Sequence, residues 1–472
     1  MSGGLRLLAS ETLEPGGLLT GCITPAVQRL GWKTWTLPTV DSVRLLGATT
    51  YATTVVEIVR ELRPHVLFVN PPYDYLHPEA CRRIREYGTK IIGYGFDDPL
   101  FDTSWGETEF ADLRSRFDLW LTTSMNGRTV AAGAIPMLWA MAPESVAVDD
   151  PCAPCFDVVL LGRYTEQRVK TADAIARAGF RIGCFGYGWY SGAVTRASRL
   201  GLMRRARFVV ISSDGPDYAP VCMTEAALLG VRQIVESVPG MERYWSPDDA
   251  PATYANTEEC VEWLKNEEAV PRWTNIASWE KQWPEIVSRL SLVEQPECTR
   301  SPALEALYAS LSRYLVQSGY SSSAVACLER WIEASSECPE PYSRMAALAF
   351  DLRRWPEVIT YAAKAQRLLQ SLVAPAVYNL TSRFPDVHNS DLILDSTILD
   401  PVAGLVGLRF YALLKSGKVD DALEEIGKMT GRQRRAVSAN IVPDFSSAEF
   451  QELMDALRKD DASEESDSDS VS

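Results

Sequence analysis

The chain has 472 residues, of which 46% are hydrophobic, which is enough apolar material for about two to four domains with large cores. Its formal net charge is −15, and six of the acidic residues lie in the last segment, residues 460–472, which contains no basic residue. A body this acidic has no global electrostatic attraction to DNA, RNA or anionic lipid, although a local basic cleft would still attract a nucleic acid.

Cysteine usage and hydropathy predict a protein of a reducing compartment, most simply the cytoplasm. Ten cysteines are scattered through the chain, mostly within apolar runs, which is typical of buried thiols rather than of a disulfide framework. Cys152 and Cys155 have metal-ligand spacing, but no second such pair follows and the three histidines do not complete a zinc site, so no metal is expected. No segment approaches eighteen continuous apolar residues, and the apolar run after Met1 is short for a signal peptide.

The first 145 residues alternate short apolar runs with amphipathic stretches. Such runs predict buried parallel strands, and the stretches at residues 53–62 and 78–87, with apolar residues at i, i+3 and i+4, predict helices. The predicted strands are residues 5–9, 33–37, 66–70, 91–95, 119–123 and 136–139. The pattern indicates an α/β fold with a doubly wound, Rossmann-like domain at residues 1–145.

A second α/β unit is predicted after a linker rich in proline and acidic residues, at residues 142–154. The predicted strands are residues 157–161, 181–185, 208–212, 232–236 and 252–254, and the predicted helices are residues 166–178, 193–204, 224–229 and 258–266. A tryptophan-rich helical stretch at residues 273–292 closes this second doubly wound, Rossmann-like domain, which spans residues 156–295.

From about residue 301 the strand pattern stops and a helix–turn–helix pattern recurs. Its copies pass through Gly319, Arg354 and Gly417, and the first two are 35 positions apart, close to the tetratricopeptide period. An all-α domain of tetratricopeptide-like repeats is therefore predicted for residues 301–458, with a generic bundle of α-hairpins as the alternative. Residues 459–472 are poor in apolar side chains and predict a disordered acidic tail.

Loops after the predicted strands carry residues suited to ligand binding, since parallel sheets bind ligands at the carboxyl ends of their strands. After the first strand, Gly16 and Gly17 let backbone N–H groups approach a phosphate or sugar closely, with a flexible turn as the alternative. After the fourth strand, Asp97 and Asp98 are adjacent acids whose repulsion is relieved by solvation, hydrogen bonding or use in a site. We favour a site over a capping role.

The second α/β domain, residues 156–295, has glycine, basic and aromatic residues in the equivalent loops. Guanidinium groups there would clamp a diphosphate, and an aromatic face between two glycines would stack on a base. The residues concerned are Gly162, Arg163, Arg168, Gly186, Tyr187 and Gly188.

A pair of carboxylates marks the next loop. Asp217 and Glu225 are separated by seven residues, and Glu225, preceded by Thr224, is predicted in the first turn of an apolar helix. A carboxylate there accepts hydrogen bonds from ribose or sugar hydroxyls, while the helix start offers N–H groups to a diphosphate. The alternative is a glutamate that only complements the helix dipole. The position late in the second α/β unit favours the site.

These features together resemble the GT-B glycosyltransferases, and more closely their CgeB-like group, the spore-maturation proteins, over about residues 5–292. The segments that carry the resemblance are Glu61-Leu-Arg-Pro-His-Val-Leu-Phe-Val, Lys90-Ile-Ile-Gly-Tyr-Gly-Phe-Asp-Asp-Pro, Cys184-Phe-Gly-Tyr-Gly-Trp and Thr224-Glu-Ala-Ala-Leu-Leu-Gly-Val-Arg-Gln-Ile-Val-Glu. The resemblance implies a hexosyl- or pentosyltransferase that uses a nucleotide sugar, with the acceptor on the first domain and the donor on the second.

Residue roles follow from the resemblance position by position. Glu225 looks like the second acid of the E-x7-E type motif, which holds donor ribose or sugar hydroxyls. Asp217 stands where the first acid belongs, but it is one methylene shorter. Arg163 matches the arginine that contacts the donor diphosphate, and Arg168 lies near the usual second basic position.

One position departs from the pattern of the relatives. They often carry arginine three residues before the motif glutamate, where this chain has Cys222. Neutralisation of the diphosphate would then come from Arg163, Arg204 or Arg205, or the enzyme would be weakened or inactive.

The implied mechanism is metal-independent and needs no cofactor beyond the nucleotide sugar itself. Positive groups and a helix start stabilise the departing nucleoside diphosphate, and a base in the first domain deprotonates the acceptor hydroxyl. Asp97 or Asp98 is the expected base, with Glu11 and His77 as rivals. His77 is equally consistent with a residue that begins a helix.

Three functions are distinguished by acceptor and activity. The leading one is sugar transfer to a hydroxyl of a protein or glycan recruited by the helical repeats, since concave repeat surfaces commonly bind peptides. The second is glycosylation of modified bases of viral DNA, against which the acidic body weighs. The third is an inactive scaffold whose repeats bind proteins, for which Cys222 is the only support.

Overall fold

A computed structural model describes residues 4–11, 13, 23–69, 75–95, 107–123, 130, 133–137, 154–192, 194, 196–212, 221–237, 250–273, 278–298, 300–383 and 401–427. The chain divides into two units, Met1–Leu307 and Tyr308–Ser472. Almost all of the predicted linker, residues 142–153, lies outside the described residues, so the domain boundaries on either side of it stay predictions.

The first unit begins with a six-stranded sheet in which every strand is parallel to its neighbours. Its strands are β1 (Arg6–Glu11), β2 (Lys33–Pro38), β3 (Val66–Val69), β4 (Lys90–Gly95), β5 (Leu119–Thr122) and β6 (Ala134–Pro136), in the order β2-β1-β3-β4-β5-β6. Its helices are α1 (Ile23–Arg29), α2 (Thr39–Leu46), α3 (Ala48–Leu62), α4 (Pro78–Glu86) and α5 (Glu107–Ser115).

Local sequence explains these elements. All four residues of β3 are buried, as a continuously apolar strand requires when helices cover both faces of a parallel sheet. Helix α3 buries residues spaced three and four apart, including Tyr51, Val55 and Leu62, so one stripe of the helix faces the core. The helix begins after Gly47, whose φ of 76° favours glycine, five residues before the predicted start.

The second sheet of this unit is five-stranded and also parallel throughout. Its strands are β7 (Phe156–Leu161), β8 (Ile182–Phe185), β9 (Ala206–Ile211), β10 (Arg232–Glu236) and β11 (Ala252–Tyr254), in the order β11-β10-β9-β7-β8. The helices that follow are α6 (Glu166–Arg177), α7 (Arg196–Arg204), α8 (Val221–Leu228), α9 (Thr257–Lys265) and α10 (Trp279–Ser288), with a 3-10 turn at Glu267–Ala269. The predicted α/β class with parallel sheets is confirmed.

Each sheet reverses its strand order at one point. Strand β1 lies between β2 and β3, and β7 lies between β8 and β9. The connections from the central strand therefore leave on opposite sides, which opens a crevice beyond the carboxyl ends of the two neighbouring strands. In the second sheet this switch point lies between β7 and β9.

Helix α10 packs on the first sheet although it follows the second one in sequence. Trp279 and Trp283 lie in the same hydrophobic cluster as Phe68 of β3, with ring centroids 6.3 and 6.2 Å from the Phe68 ring. Arg29 of α1 donates through Nε to Glu280 of α10 at 2.7 Å. The sequence pattern grouped this tryptophan-rich stretch with the second α/β domain. In the structure it forms part of the core of the first sheet.

The remaining helices follow one another in sequence. They are α11 (Pro302–Gln317), within which the boundary between the two units falls, α12 (Ser321–Ala334), α13 (Pro339–Asp351), α14 (Trp355–Arg383), α15 (Pro401–Lys415) and α16 (Val419–Gly427). Helix α12 packs on α13, α13 on α14, α14 on α15, and α15 on α16.

Three helix ends in this second unit share one geometry. Gly319, Arg353 and Gly417 have φ values of 77°, 58° and 72°. The next residue in each case donates its N–H to a carbonyl five residues back at 2.9 Å, as in a Schellman motif, and the pairs are Tyr320 to Leu315, Arg354 to Ala349 and Lys418 to Leu413. Gly319 is therefore equivalent to Arg353 and not to Arg354, and the spacing is 34 residues.

Candidate functional site

The carboxyl ends of β7 and β8 meet through two glycines. Gly162 follows β7 with φ 128°, and Gly186 follows β8 with φ 143°. A Cβ atom on Gly186 would lie 2.0 Å from the carbonyl oxygen of Gly162, and one on Gly162 would lie 2.5 Å from Cζ of Arg168. Only glycine fits at either position, so the backbone itself lines this edge of the sheet.

The loop after β8 is pinned to the loop after β7. Trp189 donates its indole N–H to the carbonyl of Gly162 at 3.0 Å, and the backbone N–H of Tyr164 donates to the carbonyl of Tyr187 at 2.7 Å. Gly188 has φ 86°, and a Cβ atom there would lie 2.8 Å from that of Tyr164. The side chain of Tyr187 is 79% exposed. A fixed loop thus presents an aromatic face to solvent beside the glycine-lined edge.

Arg168 crosses the switch point. Its side chain is buried, and it donates from Nη1 to the carbonyl of Arg163 at 2.8 Å and from Nη2 to the carbonyl of Ser212 at 2.7 Å. These bonds tie the loop after β7 to the end of β9. The guanidinium predicted to clamp a diphosphate thus lies on backbone carbonyls, while the neighbouring Arg163 is exposed at the edge.

Glu225 is a fully buried carboxylate held by an arginine of the preceding helix. Arg199 of α7 donates from Nε to Oε2 and from Nη2 to Oε1 of Glu225, both at 2.6 Å. The side chain of Glu225 has 0% exposure and that of Arg199 has 24%. Paired guanidinium and carboxylate groups in this side-on arrangement form strong charge-assisted hydrogen bonds with fixed geometry.

Helices α7 and α8 belong to both cores of the first unit. Leu200 and Val221 pack in the hydrophobic cluster of the first sheet, whereas Met203 and Met223 pack in a cluster of the second. The pair formed by Arg199 and Glu225 therefore lies on helices that pack against both sheets. A ligand that contacts both sheets would bind in this region.

Helix α8 begins at Val221, three residues before the predicted start. Glu225 is its fifth residue and not a first-turn residue, so that prediction was wrong. The first four N–H groups of the helix belong to residues 221–224, of which all but Cys222 are buried. Because Val221 to Met223 carry no helix-start residue of their own, the sequence pattern placed the start at Thr224 instead.

Cys222 is a neutral residue beside the ion pair. Burial raises the pKa of its thiol to about 12, although Arg199 acts in the opposite direction. The thiol is therefore protonated at neutral pH and supplies no charge to a ligand. Arg205, which was considered as a replacement cation, directly precedes β9 at the amino edge of the sheet, and Arg204 ends helix α7 next to it.

Several predicted site residues lie outside the described residues. They are Asp97, Asp98, Gly16, Gly17 and Asp217, and the side chain of Glu11, the last residue of β1, belongs with them. His77 is described, and its Nδ1 accepts the N–H of Ala80 at 3.2 Å as the N-cap of α4. The structure thus gives His77 the role of beginning a helix.

Arg199 is the residue that sequence reasoning missed. It is 26 residues from Glu225, on another helix, and no motif connects the two. A physical signal was present, because a glutamate in a helix as apolar as Thr224–Leu229 requires a cation nearby if it stays ionised. The helix predicted at residues 193–204 contains Arg199, but the sequence pattern pointed only to Arg204 at its end and to the next residue, Arg205.

The described ranges contain neither a metal-ligand cluster nor a helix that could span a membrane. No group of three or more His, Cys, Asp or Glu side chains that would hold a metal ion occurs there. Across the same ranges, none of the helices has both the length and the apolar character needed to cross a bilayer.

No protein-family model matches the chain, and no curated protein matches it. Solved structures do. The Anabaena protein Alr3699/HepE in complex with UDP-glucose is 14% identical with a TM-score of 0.41, and the alignment covers 61% of this chain and all of that one. AviGT4, a glycosyltransferase involved in avilamycin A biosynthesis, is 13% identical with a TM-score of 0.41 over 60% of this chain and 96% of that one. Sucrose-phosphate synthase from Thermosynechococcus elongatus is 11% identical with a TM-score of 0.39 over 67% and 99%. These TM-scores are below 0.5, so the proposal below rests on the residues of this chain.

Proposed function

We propose that the protein is a glycosyltransferase that moves a sugar from a nucleotide-sugar donor to a hydroxyl acceptor. The observation that carries the proposal is the carboxyl edge of the second sheet. Three features lie around one switch point at this edge. They are two strand ends lined by glycine, an exposed tyrosine on a fixed loop, and a buried glutamate held by an arginine. A nucleoside diphosphate sugar has a group suited to each of these features.

The diphosphate of the donor is proposed to bind beside the two glycines that follow β7 and β8. Gly162 and Gly186 have no side chain to keep a phosphate at a distance, and Arg163 adds an exposed positive charge beside them. Arg168 acts behind this surface by fixing the loop that carries Arg163 to the end of β9. The start of α8, with the N–H groups up to Thr224, adds its positive dipole end.

The two ends of the donor meet different side chains. Tyr187, held between Gly186 and Gly188, stacks on the base, because its face is exposed and its loop is fixed. The E-x7-E resemblance implies that Asp217 and Glu225 hold the sugar or ribose end. Because the side chain of Glu225 has 0% exposure, direct contact is proposed for Asp217. The base and the sugar thus lie on opposite sides of the glycine edge.

Transfer forms a bond between the acceptor oxygen and the anomeric carbon and breaks the bond from that carbon to the diphosphate oxygen. The acceptor hydroxyl loses its proton to a carboxylate of the first domain, Asp97, Asp98 or Glu11. The departing diphosphate is stabilised by arginine and by backbone N–H groups. We propose that no metal ion is needed, so an excess of chelator should leave donor turnover unchanged.

The acceptor is proposed to be a protein recruited by the helical unit. Three equivalent turns at Gly319, Arg353 and Gly417 support tetratricopeptide-like repeats, and stacked helical hairpins of this kind offer an extended surface to a peptide. This part of the proposal can be tested separately, by comparing sugar transfer to protein and to free glycan acceptors.

A donor panel tests the proposal. The purified full chain is mixed with nucleotide sugars of the five common bases, and its melting temperature is followed. A ligand that binds only the native state raises the melting temperature by mass action, by an amount that grows with its concentration. One donor, or donors of one base, should do this. If no nucleotide sugar shifts the melting temperature at any concentration, the proposed function is wrong.

A further inference from the structure

The two partners of the buried ion pair differ in what a ligand can reach. Glu225 has no exposed side-chain surface, whereas about a quarter of the Arg199 side chain is exposed. A molecule that binds at this edge of the sheet therefore meets the guanidinium first. The carboxylate lies behind it and touches the ligand only after the pair moves.

We propose that Arg199 binds the diphosphate of the donor and that Glu225 is the positioning residue that orients it. This inference rests on the proposed function. It states which partner of the ion pair contacts the ligand, which the sequence pattern did not show. The glutamate of the motif acts on the ligand through an arginine of the preceding helix.

The geometry of the pair supports these roles, in which Glu225 orients Arg199 and Arg199 contacts the ligand. A guanidinium has five N–H donors in one plane, and Nε and Nη2 each direct one of them to Glu225 at 2.6 Å. Two bonds fix the plane of the group as well as its position, which a single bond would not do. An arginine held in this way is preorganised for phosphate oxygens, with less rotamer entropy to lose on binding.

Other cations near the second sheet are less well placed. Arg168 is 3% exposed, and its guanidinium lies on the carbonyls of Arg163 and Ser212. Arg205 precedes β9 at the opposite edge. Cys222, the second residue of α8, carries no charge, since burial raises the pKa of its thiol. Arg199 and the exposed Arg163 are then the two arginines that flank the diphosphate.

The experiment compares nucleosides with their diphosphates. Dissociation constants are measured by calorimetry for uridine, adenosine, guanosine, cytidine and thymidine and for their 5′-diphosphates, with the wild-type chain and with Arg199→Gln, Arg199→Lys and Arg181→Gln. The measured quantity is the ratio of nucleoside to diphosphate dissociation constants for the base that binds. This ratio isolates the phosphate contact, because a general loss of structure weakens both ligands.

We expect Arg199→Gln to lower the ratio by about 10- to 100-fold, the range for hydrogen bonds to charged groups. Arg199→Lys should keep part of the preference, because the charge stays while the two-bond orientation is lost. Arg181→Gln is the matched control. Arg181 is also bonded to a carboxylate, Asp157, through Nε and Nη2, but at the amino edge of the same sheet. Its loss should leave the ratio unchanged.

A second comparison applies if Arg199→Gln fails to fold because Glu225 is left buried without this guanidinium. The variant Glu225→Gln removes that charge, and Glu225→Gln with Arg199→Gln then removes the arginine from a neutral site. The ratio should fall about tenfold or more between these two variants. An unchanged ratio in both comparisons, with wild-type protein that binds the diphosphate, overturns this inference alone. Wild-type protein that binds none of the diphosphates overturns the proposed function and the inference with it.

Discussion

The carbonyl oxygen of Gly162 occupies the place that a side chain on Gly186 would take, since a Cβ atom there would be only 2.0 Å away. The two glycines end neighbouring strands, and the N–H of Gly162 donates to the carbonyl of Phe185 at 3.1 Å. The contact between them is backbone against backbone, which no other residue type permits at these φ values.

Replacing Gly186 by alanine should therefore separate the ends of β7 and β8. Overpacking and the φ of 143° together should lower the free energy of unfolding by about 1–3 kcal/mol and should also weaken donor binding. Gly179→Ala is the matched control, because Gly179 has φ 92° but no atom within 4 Å of the added Cβ. Urea unfolding of both variants separates the clash from the φ strain. Equal losses in the two would show that the contact with Gly162 contributes nothing.

The ion pair of Arg199 and Glu225 makes a prediction for stability. Arg199→Gln leaves a carboxylate with 0% exposure without this guanidinium, and the free energy of unfolding should fall by about 3 kcal/mol. Adding Glu225→Gln should recover a large part of that loss, because the buried charge is removed. A double-mutant cycle measured by urea unfolding checks this. Additive effects of the two changes would contradict a direct interaction between the side chains.

His65 makes the stability of the first sheet depend on pH. Its Nδ1 accepts the N–H of Arg6 at 3.1 Å, and burial, with Arg6 as a second cause, lowers the pKa of its imidazole below the ordinary 6.5. Below about pH 6.5 the unfolded chain takes up a proton that the folded chain does not, so stability is lost as pH falls. His65→Gln keeps an acceptor without titrating. Wild-type protein should lose more stability than this variant between about pH 7.5 and 5.5, and equal losses would contradict the assignment.

At the three equivalent helix ends of the second unit, introducing a glycine and removing one should have opposite effects on the free energy of unfolding. Arg353 has φ 58° where Gly319 and Gly417 stand in the other two turns, and a left-handed conformation is strained for arginine. Arg353→Gly should raise the free energy of unfolding by about 1 kcal/mol, and Gly319→Ala should lower it by a similar amount. Nothing lies within 4 Å of a Cβ atom on Gly319, so the second change tests φ alone. Chemical denaturation followed by circular dichroism measures both.

Much of the fold was predictable because the strands are continuously apolar. The bounds predicted for β2 and β3 agree with the structure to within one residue, and both sheets are parallel as expected. The weakest prediction was β6, placed at residues 136–139 and found at Ala134–Pro136, where a short strand offers little pattern. Helix α10 followed the second sheet in sequence and yet packed on the first, since Trp279 and Trp283 fit a core built from distant residues.

The candidate site was predictable only in part, for the same physical reason. Gly162, Gly186 and Glu225 are marked by their places after strands or in an apolar helix, so a local pattern finds them. The partner of Glu225 is set by the packing of α7 against α8, which no local pattern contains. Arg168 likewise seemed a ligand contact because of its place at a helix start. Its hydrogen bonds to the carbonyls of Arg163 and Ser212 show that it connects the loop after β7 to the end of β9.

The proposed donor site is tested most directly by a calorimetric titration with the donor that the panel identifies. Wild-type protein, Glu225→Gln and Glu267→Gln are compared. Glu267 is also bonded to arginines, Arg207 and Arg232, but at the amino edge of the same sheet. A donor site at the carboxyl edge predicts tight binding by wild type and by Glu267→Gln, and binding weakened at least about tenfold by Glu225→Gln. Equal affinity of all three proteins for the donor would contradict a donor site at the carboxyl edge of the second sheet.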